Sequence, residues 1–216
     1  MLRWRDSGSM LAAMLDSMAH RTMPDSSYRR SAFESNREST VLPPQVFDTP
    51  RWYACRTRAR AEKRAAGLLA GNGVESYLPV IEQLRQWSDR KKRVAFPLFP
   101  GYVFARFDLR KTYEVLNTPC IVTIVRANGY PTPLRDEELE SVRILVTGVN
   151  AGKGMPWPVE TVTIGQEVVV TRGVFAGMRG VLLEERGRTR VVVWLSVLCR
   201  AVSVELPRRV LRPVRS

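Results

Sequence analysis

With 216 residues, 44% of them apolar, the chain can build one large domain or two small ones, and its composition is that of an ordinary globular protein. No apolar run approaches the ~20 residues of a membrane-spanning helix, and Cys55, Cys120 and Cys199 are too few and too far apart for a disulfide framework or a metal site. The formal net charge of +13 is the unusual quantity; it suits a polyanionic partner such as nucleic acid, with general solubility as the bland alternative.

Residues 1–50 carry six basic and six acidic side chains, so the excess lies elsewhere: 17 against 10 over residues 51–149, and 10 against five over residues 160–216. The amino terminus makes a poor signal peptide, because Asp6, Asp16 and Ser17 interrupt its apolar stretch. Met10–Met18 could form a short amphipathic helix, and residues 26–40 read as a polar, disordered segment. Methionines at 10, 14, 18 and 23 leave a later translation start open. The single histidine, His20, reads as solvent-exposed, and Pro43, Pro44 and Pro50 as a spacer. With no carboxylate cluster and no second histidine, no acid–base or metal constellation offers itself, so the chain is expected not to be an enzyme and to need no cofactor.

Arg51–Thr57 alternates as a strand, and Arg58–Ala70 follows as a helix with Ala61, Ala65, Leu68 and Leu69 on its apolar stripe. Val74–Leu84 is a second strand, interrupted at Pro79. Arg85, Trp87, Arg90, Lys91, Lys92 and Arg93 then form a basic hairpin tip. Such a tip can touch phosphates and stack on a base, or Trp87 can fold back onto the sheet. Residues 96–107 hold the most informative stretch, Phe-Pro-Leu-Phe-Pro-Gly-Tyr-Val-Phe-Ala-Arg-Phe. From Tyr102 the period is two with apolar groups on both faces, which predicts a central strand covered on both sides, or covered on one and used for docking on the other. Pro97 and Pro100 cannot donate to a ladder, so the approach is irregular and aims Phe99 and Tyr102 outward as an aromatic docking surface. Asp108 caps a short helix that Pro119 stops, and Ile121–Arg126 is a strand closed by the Asn128-Gly129 turn. Asp136, Glu137 and Glu138 open a helix buried through Leu139, Val142 and Val146 and ended by Gly148. The expected fold class is α+β, an antiparallel-rich sheet with helices on one side.

Residues 150–159 read as a linker. Beyond it, Glu167–Thr171, Val181–Leu183, Arg190–Leu195, Ala201–Leu206 and Val210–Val214 are five short strands with glycine corners, which suggests a small closed β-barrel over residues 160–216. Small buried thiols in a reducing cytosol account for the cysteines.

Two blocks resemble the NusG family of bacterial transcription elongation factors. Pro97-Leu98-Phe99-Pro100-Gly101-Tyr102-Val103-Phe104 is similar to the hallmark of its amino-terminal (NGN) domain. Residues 165–170 with Gly173-Val174-Phe175-Ala176-Gly177-Met178-Arg179-Gly180-Val181 are similar to its SH3-like KOW barrel motif. Leu98 and the turn at residues 128–131 look nearer to operon-specific, RfaH-like paralogues, whereas the extension before Arg51 is longer than the family's usual start. The resemblance implies an NGN-like domain over 51–149 that docks on the clamp helices of RNA polymerase, with Phe99 and Tyr102 at the motif positions that help make that surface. It also implies contact with upstream or non-template DNA, for which the basic hairpin tip is the candidate. A barrel that recruits Rho or a protein of the small ribosomal subunit follows as well, with Phe175 at the aromatic position used there and Arg172 beside it. Phe175 could instead fill the barrel mouth. A cytoplasmic monomer is the expected setting. The competing reading is an RNA-binding, ribosome-associated or ribosome-assembly protein.

Overall fold

A computed structural model describes residues 48–86, 91–127, 129–159, 165–185 and 188–214. The helix at Met10–Met18, the polar segment, His20 and the hairpin tip at Trp87 and Arg90 lie outside the described residues. No helix among those described is long and apolar enough to cross a membrane.

The first segment is built on a four-stranded antiparallel sheet. Its strands are β1 (Arg51–Thr57), β2 (Glu75–Tyr77), β5 (Tyr102–Phe107) and β6 (Ile121–Ile124), in the order β2-β5-β1-β6. The strand foreseen from its alternation is therefore central, paired with β1 from Arg51↔Phe107 to Arg56↔Tyr102. Alternation on β1 and β5 sends side chains to two separate cores. Tyr53, Cys55, Val103, Ala105 and Phe107 pack with Ala65 and Leu69 of α1 (Glu62–Gly71) and Val115 of α2 (Thr112–Asn117). Trp52, Ala54 and Phe104 face the other way, against Leu139, Val142 and Leu145 of α3 (Asp136–Asn150). The helices thus cover both faces, not one. The reason was present in β1 itself, whose two faces are both apolar and must both be buried.

The predicted second strand splits at Pro79: β2 stays in the sheet, and β3 (Val80–Gln86) leaves it to form a separate hairpin with β4 (Lys91–Pro97). This hairpin is clasped from the side by Asn150 at the end of α3. Its Oδ1 accepts from Glu82 N at 2.9 Å and its Nδ2 donates to Val80 O at 2.9 Å, so one amide does the work of a ladder partner. Asn150→Ala is expected to cost about 1–2 kcal/mol, two exposed side-chain hydrogen bonds, and to raise hydrogen exchange selectively at Glu82. Unchanged protection there would contradict the clasp. Asp108 caps as expected, accepting from Arg110 N at 3.0 Å ahead of a 3-10 turn at Leu109–Lys111 that leads into α2. After β6 a short ladder pairs β7 (Arg126–Ala127) with β8 (Tyr130–Pro131).

The second segment is built of strands joined by turns, two of them 3-10 turns at Ser196–Leu198 and Arg208–Val210. Five of its strands match the expectation: β10 (Glu167–Val170), β11 (Arg179–Glu185), β12 (Arg188–Leu195), β13 (Arg200–Glu205) and β14 (Leu211–Pro213). A sixth, β9 (Trp157–Val159), comes from the supposed linker and pairs with β13 through Ala201↔Val159 and Ser203↔Trp157. Together they make one antiparallel sheet in the order β14-β10-β11-β12-β13-β9, consistent with a small barrel. Pro158 hid β9, yet proline is tolerated here because β9 is an edge strand. Gly180 is glycine for a packing reason: a Cβ there would lie 2.8 Å from Val191 Cγ1 on the neighbouring strand. The cysteines are free, but only Cys55 is buried, its thiol pushed up to about 12 by burial; Cys120 is half-buried and Cys199 exposed, which corrects the expectation of three buried thiols.

Candidate docking site

The two segments are packed together, and the residues that sequence assigned to two different partners meet at or beside the seam. One core runs from Trp52, Phe99, Phe104, Leu139, Val142 and Leu145 of the first segment into Val168, Val170, Phe175, Met178 and Val193 of the second.

Phe175 makes the central contact. It is 5% exposed, and its ring lies over Gly148 of α3, where an added Cβ would come within 2.7 Å of Cδ1 and 2.8 Å of Cζ. Gly148 therefore does not end the helix as expected; α3 continues to Asn150, and the missing side chain makes a seat for the ring. A glycine within a helix costs ~1 kcal/mol against alanine, and a compensating close contact was the one signal that could have pointed to this. Next to the ring, Ile144 Cδ1 approaches Gly177, whose φ of +87° suits only glycine in this tight loop. Arg172, in the same loop, is exposed.

Polar contacts fix the register. Ser141 Oγ accepts from Arg179 N at 3.0 Å while donating to Glu137 O at 2.8 Å. Glu138, 8% exposed, accepts from Arg135 Nε at 2.8 Å on one oxygen, and from Ser196 N at 3.4 Å and Ser196 Oγ at 3.3 Å on the other. For Arg135, burial works against the charge, but the hydrogen bond and charge of Glu138 outweigh it and raise its pKa. Arg135, at the N-cap of α3, thus holds Glu138 toward the barrel.

The aromatic lip is arranged differently from its expected form. Phe99 is sealed at 1% exposure, edge-on to Phe104 with ring centroids 6.1 Å apart, and does not project outward. Burial follows because Phe99 closes the core over the sheet that Pro97 and Pro100 were read as pushing it away from. Tyr102 is half-buried, and Arg200 of the barrel lies over its ring, 5.4 Å from the centroid. Phe104 stacks on Tyr77, whose hydroxyl is pushed up to about 12, mainly by burial; Arg143 pulls the other way from its position 5.2 Å over the rings of both Tyr77 and Trp52. The Pro100-Gly101 turn is held by Glu62, which accepts from Gly101 N at 2.7 Å. Lys92 and Arg93 of the hairpin are exposed; Arg85 and Lys91 lie on its strands, their side chains outside the described residues.

Comparison with known proteins decides the family. Residues 50–143 match the family described as transcription termination factor nusG. The transcription termination/antitermination protein NusG of Thermus thermophilus is 30% identical over 175 residues, covering 72% of this chain and 94% of that protein. The chain belongs to the NusG family. The NusG protein of Neisseria meningitidis serogroup B is 28% identical, again over 72% of this chain and 93% of its own length. Among solved structures, one described as domain interaction in Thermotoga maritima NusG is 23% identical, covers 78% of this chain and 99% of that one, and superposes with a TM-score of 0.43. The NusG-like reading of the two motif blocks is thereby upheld, as is a role among transcription termination and antitermination factors.

Proposed function

We propose that this NusG-family chain is an elongation/antitermination factor that binds RNA polymerase through its first domain and engages Rho or the small ribosomal subunit through its barrel, in a cytoplasmic setting. One observation carries the reading: Tyr102 and Phe175, the residues matched to the two partner surfaces, are both engaged at the seam between the segments, under Arg200 and against Gly148 respectively. A monomeric protein rarely leaves a large contiguous apolar patch exposed. Here each segment covers the other. Docking on polymerase through Tyr102 then requires the barrel to leave, and its departure frees Phe175 for the second partner. The turn from Phe99 to Tyr102 is closed by Tyr102 N donating to Phe99 O at 3.2 Å, and Glu62 fixes it at Gly101.

The seam is suited to reversible opening. Among the described residues its polar contacts include those of Ser141 with Arg179 N and of Glu138 with Ser196, hydrogen bonds worth on the order of 1 kcal/mol each. Crosslinking of the chain in cells tests the assignment: RNA polymerase is expected as the dominant protein contact. Ribosomal RNA as the dominant contact, with polymerase absent, would overturn it in favour of a ribosome-associated protein.

A further inference from the structure

The β3–β4 hairpin and the barrel belong to different sheets, yet both are attached to the same turn of helix, the last of α3. That turn, Thr147-Gly148-Val149-Asn150, consists of four low-ranking helix formers: two β-branched residues, a glycine and an asparagine. Its end is weakly supported. It carries no basic side chain for the negative end of the helix dipole, and the capping residue Ala151 sits at φ −76°, outside the left-handed cap conformation. A turn of this composition is helical because of what packs on it. From one side comes the barrel. The Phe175 ring covers Gly148, and the chain beyond the helix stays beneath it, a Cβ at Gly154 falling 3.7 Å from Phe175 Cζ and 2.9 Å from Val204 Cγ2. From the other side comes the hairpin, whose Glu82 N and Val80 O both bond the Asn150 amide at 2.9 Å. Ile81 of β3 and Val149 are buried in the same core as Phe175, so hairpin, helix end and barrel close one another. A two-stranded ribbon is marginal by itself. On its other strand, the contact of Lys63 Nζ with Ala95 O at 3.2 Å is exposed to water.

We infer that the last turn of α3 is a relay between the barrel and the hairpin. The docked barrel keeps the turn helical, and the helical turn keeps Asn150 on β3. When the barrel leaves, Gly148 is uncovered, the turn frays, and the hairpin is freed to reorient against the sheet. Coupling of this kind needs one element with two arrangements that both sites bias. The turn meets that requirement, because its own propensity favours the frayed form and the Phe175 ring and the β3 backbone each favour the helical one. The proposed function enters only by giving the barrel an occasion to leave; the relay itself works in the isolated chain.

Hydrogen exchange resolved to single amides, on the full chain, reads the relay at Glu82 N. Phe175→Ala removes the ring and leaves α3 unaltered. Exchange at Glu82 is expected to rise by about tenfold or more, as for the loss of a buried phenyl ring. Val125 N, bonded to Ala54 O at 2.8 Å beside the first segment's sheet, is expected to stay protected. Phe175→Ala combined with Gly148→Ala then gives the turn a better helix former, with room for its methyl group. Protection at Glu82 is expected to recover by about fivefold, the equivalent of the propensity difference between glycine and alanine. Both expectations hold even if the barrel of these variants unfolds or stays close by, because the ring itself is what covers Gly148. Unchanged exchange at Glu82 in the first variant, an equal rise in both, or loss of protection at Val125 alongside Glu82 would overturn the relay. RNA polymerase capture by the unmodified chain is read separately. Its absence would count against the proposed function and leave the relay standing, whereas unchanged exchange at Glu82 removes the relay and leaves that function untouched.

Discussion

Gly148→Leu is expected to drive the barrel off α3 while leaving each segment folded. Leucine is the better helix former by close to 1 kcal/mol, so the first segment's own helix gains from the change. The seam loses, because even a Cβ at this position falls within 2.8 Å of the Phe175 ring, and Phe175 is too deeply buried to swing aside freely. Overpacking of this kind costs about 1–3 kcal/mol, and occasionally more. The polar contacts across the seam add little to hold it, so what opposes release is the apolar core around Phe175, which the clash itself disrupts. Small-angle scattering should report a larger radius of gyration with unchanged secondary structure by circular dichroism, and Ser196 N should lose its protection from hydrogen exchange. An unchanged radius would mean that the ring has another place to go and that Gly148 is not the seat proposed for it.

The second large effect is on stability. Phe104 is fully buried, edge-on to Phe99, stacked on Tyr77 and in the same core as Trp52 and the α3 leucines. Phe104→Ala is expected to cost roughly 3–5 kcal/mol, from lost transfer energy and the cavity left among rings that cannot collapse. That is a large part of the 5–15 kcal/mol typical of a whole domain. Urea unfolding should show the midpoint fall accordingly. A loss below about 1 kcal/mol would mean that this face of the sheet is not the structural core described here.

The sequence reveals the β5 strand clearly because its period of two is unbroken from Tyr102 to Phe107 and both faces are apolar. Those same residues do not tell how each face is covered. An apolar side chain is equally at home against its own domain or against a neighbour, so Leu139, Val142 and Leu145 announce a buried helix face without announcing that the barrel completes their core. Phe99 illustrates the limit: the two prolines correctly mark an irregular approach to the strand, yet the direction they give the ring depends on long-range packing. Gly148 and Pro158 mislead for a common reason. Each is a breaker in isolation, tolerated in place because of a tertiary circumstance, a ring needing room in one case and an edge strand needing no donor in the other. The interactions at Glu138, Ser141, Ser196 and Arg200 join residues some 40 to 100 positions apart, and nothing in local pattern pairs them.

The account stands on the idea that Tyr102 serves RNA polymerase and that the docked barrel competes for it. The most direct measurement is the affinity of purified RNA polymerase for three proteins compared side by side: the unmodified chain, Gly148→Leu, and Gly148→Leu combined with Tyr102→Ala. Binding is expected to tighten in the single variant, as the barrel no longer covers the ring, and to fall back by about tenfold or more when the ring is removed, as for an aromatic interface anchor. Equal affinity for all three proteins would contradict the account.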